Sequence, residues 1–298
     1  MNAKRERFAG YLRESRIIVA PGVCDCIGAS LVEDTGYEAV YITGFGTAAS
    51  LIGKPDLGFL SLNESLYQAG RIDTATSLPV VADAEAGFGN ALSTMRTVSE
   101  YEKIGITAIH IEDQINPKRW KPDGTPQVVA MEEHADKIRA AVQARKDPNF
   151  LIIGRTDAMQ RHGLAEAIRR ANAYLEAGAD LHFIHGIGNS DDLEQVAREM
   201  EAPGVVNYST ILESGNKPVP ISKLENMGYK LVIFPTELLL SVSKTMKDFL
   251  IHLKKNGSVE GWQEMLMSIA EFKKLFKWSD YCNLEKKWLP DKEEIEQL

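Results

Sequence analysis

Two acidic residues with one residue between them stand at the end of an apolar run, in the stretch PVVADAEAGFGNA that covers residues 79–91. In an extended strand Asp83 and Glu85 point to the same side, where their like charges repel each other. That repulsion predicts a positive charge between them. Carboxylate oxygens without a neighbouring His or Cys suit a hard cation, so we expect Mg²⁺ held partly through water, with Mn²⁺ as the alternative.

Polar residues follow the other apolar runs in the same way. The groups at these run ends are Glu112 and Asp113, then Arg155 and Asp157, then His185, and finally Asn207 and Tyr208. Buried strands have no need of such groups, because an unpaired carboxylate in an apolar interior is strongly unfavourable. Their common placement predicts one shared site, to which Asp83, Glu85 and Glu112 contribute the metal-binding acids.

Arg155 is the expected electrophilic partner of a substrate carboxylate, phosphonate or enolate, because a guanidinium stays charged and can bind two oxygens at once. Structural interpretations remain open for these residues. Arg155 could form only a structural salt bridge, to Asp157 or to an upstream acid, and His185 could be a core residue. Asp83 or Glu85 could cap the next helix or pair with Lys118 or Arg155.

The elements that must position these residues are short runs rich in Val and Ile, separated by longer amphipathic stretches. The runs are continuously apolar, as in parallel strands that are covered on both faces. Helical patterns at 90–105 and 163–180 reach a glycine, a usual helix end. A (β/α)8 barrel over residues 1–240 is predicted, with a doubly wound open sheet as the alternative. Its strands would lie within 16–23, 39–45, 79–85, 108–113, 151–157, 181–186, 204–209 and 230–236.

The pattern changes after residue 236, where helices are predicted over 238–257 and 262–276 without strands between them. Residues 241–298 are therefore interpreted as a C-terminal helical extension. The segment from Trp262 to Trp278 is rich in Met, Leu, Phe and Trp and would be too apolar to face water. We favour docking on a second subunit, which gives a homodimer or homotetramer, over folding back on the same barrel.

The composition of the 298-residue chain excludes several classes of protein. The formal charge is −8 and no basic face stands out, which argues against nucleic acid as a partner. Three cysteines do not make a disulfide framework or a zinc site. No apolar run approaches the roughly 20 residues that cross a bilayer, and the N-terminus lacks a secretory apolar core. A cytoplasmic protein without a membrane partner is expected.

Several segments resemble the phosphoenolpyruvate mutase/isocitrate lyase superfamily, and within it the 2-methylisocitrate lyases and carboxyphosphonoenolpyruvate mutases. They are YITGFGTAASLIGKPDLGFLSLNE at 41–64, DAEAGFGNA at 83–91, AIHIEDQINPKR at 108–119, IIGRTDA at 152–158 and AIRRANAYLEAGAD at 167–180. The resemblance implies an enzyme that binds Mg²⁺ and a small carboxylate or phosphonate, and that makes or breaks a C–C or P–C bond through a pyruvate-type enolate. It also implies subunits that exchange a C-terminal helix.

Carried over position by position, the resemblance assigns Asp83, Glu85 and Glu112 to the metal. It assigns Arg155 to the enolate, Lys118 to a mobile gating loop and Asp56 to the surroundings of the substrate. Thr43, Gly44 and Phe45 fall where a Ser-Gly-Gly or Ser-Gly-Ser segment grips the substrate. Asn207, at a strand end, is a further substrate-binding candidate, and His185 a catalytic one.

The chain departs from the lyase pattern in its gating loop, where Trp120, Lys121 and Pro122 replace Cys-Gly-His. The lyase cysteine protonates the departing carbon acid, and an indole cannot do so. His185 stands where lyases have Glu and mutases have His. Phe45 narrows a spot that usually holds a small residue, and Glu85 replaces Asp.

These departures fit a reaction whose leaving fragment needs no proton. They also fit a lyase in which another residue donates the proton, with His185 and Tyr208 as candidates. C–C cleavage of a 2-hydroxy di- or tricarboxylate is the first expectation. The alternatives are P–C chemistry by a phosphonomutase or phosphonopyruvate hydrolase, oxaloacetate decarboxylation, and a non-catalytic metabolite-binding protein.

Overall fold

The computed structural model describes residues 2–14, 16–200 and 203–289, and the chain divides into two compact units, Met1–Leu240 and Ser241–Leu298. In the first unit eight parallel strands form a closed barrel in sequence order, with the last strand beside the first. The predicted (β/α)8 fold is therefore confirmed. The strands are β1 (Ile18–Val23), β2 (Val40–Ile42), β3 (Val80–Asp83), β4 (Ala108–Glu112), β5 (Leu151–Thr156), β6 (Leu181–Ile184), β7 (Gly204–Asn207) and β8 (Leu231–Phe234).

Helices connect the strands and continue beyond the last one. Those of the barrel unit are α1 (Ala3–Arg13), α2 (Cys26–Asp34), α3 (Gly44–Ile52), α4 (Leu62–Ala75), α5 (Ala91–Lys103), α6 (Met131–Ala144), α7 (Met159–Glu176), α8 (Ser190–Glu199), α9 (Tyr208–Glu213) and α10 (Ile221–Asn226). The later helices are α11 (Glu237–Asn256), α12 (Ile269–Leu275) and α13 (Trp278–Trp288).

The continuous apolar runs have a structural reason, since each strand packs on two layers. One set of side chains fills the barrel interior, including Ile18, Val81, Ile153, Phe183 and Leu231. The alternate set packs outward against the helices, as Ile109, Ile111 and Ile152 do against Tyr101 and Ile138. A strand buried on both faces has no polar face, which is why none of these runs alternates.

Strand register brings the polar run ends together at one rim. Asp83 pairs in register with His110, and Glu112 pairs with Arg155 on the next strand. All eight strands are parallel, so their carboxyl ends share this rim of the barrel, where sites in such barrels lie.

In the second unit, residues 262–276 do not form the single helix that the sequence predicts. A short 3-10 turn, Gln263–Met265, comes first, and α12 begins only after Ser268. Ser268 accepts a hydrogen bond from the Glu271 N–H while the Glu271 side chain accepts one from the Ser268 N–H. This capping box starts a new helix inside the apolar run, which the apolar periodicity does not reveal.

None of the helices among the described residues has both the length and the apolar character needed to cross a membrane.

Substituting Ile109→Ala tests the packing of the outer barrel layer. Ile109 is fully buried between β4 and the helices, so the truncation should lower the free energy of unfolding by about 2–5 kcal/mol. Urea unfolding followed by circular dichroism measures this. The matched control is Leu92→Ala on α5, where the side chain is 75% exposed and little change is expected. Equal losses in both variants would contradict the packing described above.

Candidate active site

Three buried acids lie at the carboxyl ends of β3 and β4. Asp83 and Glu112 are the last residues of these strands, and Glu85 lies two residues beyond β3. The Lys118 ammonium lies among them, with Nζ 3.0 Å from Glu85 Oε2 and 3.6 Å from Glu112 Oε1. The alternative in which Glu85 pairs with Lys118 is thus present in the structure, and a positive charge does lie beside the predicted acids.

The turn after β3 aims Glu85 back at the rim. Its backbone adopts the left-handed conformation, with φ of 51°, and its N–H donates to Asp83 Oδ1 over 2.8 Å. Gly44, the first residue of α3, approaches both acids closely. A Cβ at this position would lie 2.6 Å from Asp83 Oδ2 and 3.0 Å from Glu85 Oε1, so only glycine leaves these carboxylates in place.

Lys118 belongs to the loop between β4 and α6, which folds into a narrow hairpin. Isolated antiparallel bridges join Gln114 to Val128 and Trp120 to Pro126. Outside the barrel rim, Asp56 accepts two hydrogen bonds from Lys118 Nζ, at 2.8 and 2.9 Å. The segment around Asp56 also touches the loop backbone, because a Cβ on Gly58 would lie 2.8 Å from the Lys118 nitrogen.

Burial shifts the pKa values of these groups. It raises the pKa of Glu85 to about 7, against the opposing effect of Lys118. Burial also raises the pKa of Glu112 well above its usual range. For Lys118, burial alone would lower the pKa, but Glu112, Glu85 and Asp56 raise it well above normal, so the lysine is a cation at neutral pH. At both carboxyl groups burial therefore outweighs the effect of the cations beside them.

The acids fit a divalent cation that is bound partly through water. Neither carboxylate oxygen of Glu112 accepts a hydrogen bond from a described residue. Within the described ranges, no three His, Cys, Asp or Glu side chains are close enough together to form a complete metal site. Mg²⁺ commonly keeps several waters and takes only one or two carboxylates directly, which suits this spacing.

Arg155 faces the acids from β5. Asp157 holds the guanidinium in a fork, with Nε 2.9 Å from Oδ2 and Nη2 2.8 Å from Oδ1, as the structural interpretation of Arg155 requires. The third nitrogen, Nη1, lies 3.1 Å from Glu112 Oε2. The guanidinium thus bridges a structural acid and an acid of the cluster. His185 Nδ1 approaches the same Asp157 carboxylate, 3.2 Å from Oδ1.

Behind this pair lies a network whose role sequence reasoning missed. Asp113 accepts hydrogen bonds from the Asp157 N–H at 2.9 Å, from Tyr174 Oη at 2.8 Å and from Arg170 Nη1 at 3.0 Å. The sequence shows Asp113 and Asp157 as acids at a strand end, but it does not show that residues of α7 bind Asp113. Arg170 and Tyr174 are spaced four apart on one helix face, and that spacing was the available signal.

The remaining predicted site residues lie around the rim with less specific contacts. Thr43 caps α3 through its side chain, which accepts from the Gly46 N–H, and Phe45 in the first turn of α3 is 46% exposed. Asn207 caps α9 by accepting from the Ser209 N–H at 3.0 Å. The Tyr208 hydroxyl donates to the Val219 carbonyl at 2.8 Å, so its proton is engaged away from the acids.

Comparison with known proteins places the chain among enzymes of one group. The family described as phosphoenolpyruvate phosphomutase matches residues 8–254. The chain is 37% identical to 2,3-dimethylmalate lyase of Eubacterium barkeri, covering 92% of both chains. It is 35% identical to 2-methylisocitrate lyase of Shewanella oneidensis, covering 94% of both. The structure of a phosphonopyruvate hydrolase complexed with oxalate and Mg²⁺ superposes with a TM-score of 0.88 at 26% identity, over 96% of this chain and 99% of that one.

Substituting Asp56→Asn should loosen the hairpin loop. The amide cannot form the charged pair with Lys118, and hydrogen bonds to a charged group contribute about 1.5–3 kcal/mol. We expect trypsin to cleave after Lys118 or Arg119 about tenfold faster, since these bonds are cut when the loop opens. Mass spectrometry of the timed digest locates the cuts.

The control for this digest is Asp136→Asn, which breaks an exposed ion pair with Arg139 on α6. It should leave loop cleavage unchanged. If the Asp56 variant is cleaved at the wild-type rate, Asp56 does not restrain the loop.

Proposed function

Because the chain belongs to the phosphoenolpyruvate mutase/isocitrate lyase superfamily and is an enzyme of that group, we propose that it is an Mg²⁺-dependent lyase. Its substrate would be a 2-hydroxy di- or tricarboxylate, whose C–C bond breaks through an enolate-type intermediate to release a pyruvate-type oxoacid. One observation carries the proposal: buried acids gather at the rim of the barrel, and one of them, Glu112, lies 3.1 Å from the Arg155 guanidinium.

Asp83, Glu85 and Glu112 would hold the Mg²⁺, partly through water. When bound, the metal supplies Lewis-acid polarisation of the substrate oxygens. The carboxylates would also orient those waters, since Glu112 has both oxygens free of hydrogen bonds from described residues. Lys118, which is already hydrogen-bonded to Asp56 at 2.8 Å, would have to give up its 3.0 Å contact with Glu85 for this carboxylate to face a cation.

Arg155 would stabilise the negative oxygen that develops as the bond breaks. A fixed guanidinium in a buried site acts without reorganising, and Asp157 fixes this one by two hydrogen bonds. The substrate carboxylate would bind at the N-terminus of α3, where backbone N–H groups of Gly44 and Phe45 lie beside the acids. The hairpin loop, seated on Asp56, would exclude water.

The departing carbon must take up a proton in a C–C lyase, and the hairpin loop contains no thiol. His185 is the better of the two expected donors. Its side chain is 29% exposed at the rim, and its Nδ1 lies 3.2 Å from Asp157 Oδ1, which holds the ring in place. Tyr208 is the weaker candidate, because its hydroxyl is already donated to Val219. General acids contribute about 10²–10⁴ in rate.

P–C cleavage of a phosphonate is the second candidate, and the loop favours it. In a mutase the enolate oxygen takes the phosphoryl group back, so no proton is needed and Trp120 in place of a thiol would carry no penalty. A hydrolase would transfer the phosphoryl group to water and would still have to protonate the enolate carbon, for which His185 is the candidate. Arg155 would stabilise the pyruvate enolate left behind. The relatives of this chain include proteins named for each of the two reactions. One is a carboxyvinyl-carboxyphosphonate phosphorylmutase of Arabidopsis thaliana, at 34% identity over 95% of this chain and 84% of that protein.

A substrate panel distinguishes these reactions. Purified protein with Mg²⁺ is given 2-methylisocitrate, 2,3-dimethylmalate, phosphonopyruvate or oxaloacetate, and pyruvate, oxalate and phosphate are measured. We expect an oxoacid from a hydroxy acid and loss of that turnover with EDTA. Pyruvate and phosphate from phosphonopyruvate would instead support the P–C reaction, and phosphorus NMR would detect a mutase product. No turnover of any substrate would contradict both proposals and favour a binding protein.

Two conservative variants in the same assay test the site. Glu112→Gln removes a charge without changing shape, and Arg155→Lys removes the fork. Each should lower kcat/KM by about 10²-fold or more, as losing one electrostatic stabiliser does. Their controls are Glu100→Gln and Arg169→Lys, which alter exposed helix pairs. Near-normal turnover in either site variant would show that the active site has been assigned to the wrong residues.

We further propose that residues 241–298 serve self-association. Support comes from the apolar face of α11, where Met246 is 55% and Leu250 62% exposed. Ser243, Lys247, Ile251 and Lys254 line a cavity with them. An apolar face of this kind on a helix is typical of an interface between subunits.

Light scattering after size-exclusion chromatography tests self-association. The wild type should have a mass that is a multiple of 33.0 kDa, and Leu250→Asp should shift it toward the monomer because the interface would bury an uncompensated charge. Leu92→Asp adds the same charge to an exposed position of the barrel unit and should leave the mass unchanged. A monomeric wild type would refute the proposal.

A further inference from the structure

Most backbone carbonyls of the turn that carries Glu85 accept a hydrogen bond from another element of the fold. Its strained residue has φ of 51°, and such a conformation persists only where the surroundings fix it. Side chains on two helices and the backbone of β4 supply these contacts. They are Tyr101 Oη to the Asp83 carbonyl at 3.1 Å, the Glu112 N–H to the Glu85 carbonyl at 2.9 Å, Lys137 Nζ to the Ala86 carbonyl at 3.2 Å, and Thr97 Oγ1 to the Gly87 carbonyl at 3.1 Å.

Lys137 is the unexpected member of this set. It lies on α6 and is only 3% exposed, yet its ammonium forms one hydrogen bond, to Ala86, and no ion pair within 4.0 Å among the described residues. Burying an ammonium with so few partners is unfavourable, and burial lowers the pKa of Lys137. Core packing alone therefore does not account for a lysine at this position.

The surroundings of Lys137 indicate what the charge does. The acids that act on it electrostatically are Glu133 on its own helix and Asp113 and Glu112 at the end of β4. Its hydrogen-bond acceptor belongs to the residue directly after Glu85. Lys137 therefore joins α6 to the turn and adds positive charge near the acids at the end of β4.

We infer that Lys137 is a positioning residue for Glu85: by holding the Ala86 carbonyl, it keeps the strained turn closed and the Glu85 carboxylate aimed at the cation. The inference rests on the proposed function, since it takes the acids to be the metal site. It does not require Lys137 to touch metal or substrate. Residues that orient a metal ligand in this way typically affect metal affinity or activity by about 10–100-fold when substituted.

The test is Mn²⁺ binding to the full chain, measured by electron paramagnetic resonance, beside kcat, KM and thermal unfolding. Lys137→Met removes the donor at nearly constant volume and should weaken Mn²⁺ binding about 10–100-fold. With Mn²⁺ saturating, kcat should return close to the wild-type value. Lys137→Arg keeps the charge and donors and should restore most of the affinity. Lys103→Met, an exposed lysine on α5, is the matched control and should bind Mn²⁺ normally.

Each result decides one question. A wild type that binds no Mn²⁺ would overturn the metal site itself, and with it the proposed function. A wild type that binds, beside a Lys137→Met variant that binds equally well, would overturn only the role of Lys137. An equal loss in Lys103→Met would do the same. Should Lys137→Met fail to fold, Lys137→Gln decides, because its amide is polar but too short to reach Ala86, and unchanged affinity there would refute the inference.

Discussion

Acids can be buried together at the rim of a barrel only if positive charge is buried with them, and much of this site follows from that constraint. Glu112 is fully buried and takes no hydrogen bond from a described residue, so its charge must be met by cations. Lys118 reaches it from a loop and Arg155 from the next strand. The hairpin, the Asp56 segment and the fork on Asp157 are the means by which those two cations are held close to the acids.

The same charge balance bears on the reaction. In the proposed function, the acids, the fixed guanidinium and a bound divalent cation would together stabilise an oxygen that becomes negative, whichever bond breaks. What separates C–C from P–C chemistry is the fate of one proton, and this depends on a donor rather than on the acids. His185, held by Asp157, and the thiol-free loop around Trp120 are therefore the residues that carry the distinction.

The barrel and the positions of the strand-end residues could be predicted because both depend on local pattern. Apolar runs of strand length, with helical stretches between them, fix the order of elements, and parallel strands place their ends on one rim. The position of Lys118 between the acids could not be derived from pattern, since it depends on how a loop folds over the rim. The strained backbone of Glu85 and the role of Lys137 depend on contacts between distant elements. The break before α12 was missed because a capping box competes with apolar periodicity.

The Asp113 network has a consequence for how such an enzyme can diverge. Arg170 and Tyr174 reach inward from α7 to Asp113, and Asp113 steadies Asp157, which orients the guanidinium. A helix of the outer layer is thus linked to the Arg155 guanidinium through two acids in succession, Asp113 and Asp157. Loops on the rim can be exchanged without disturbing this chain of contacts, whereas a shift of α7 by a fraction of a turn would change the orientation of Arg155 and, in the proposed function, would impair the reaction of every substrate. The rim loops are therefore free to change in evolution, while the outer helix α7 is constrained.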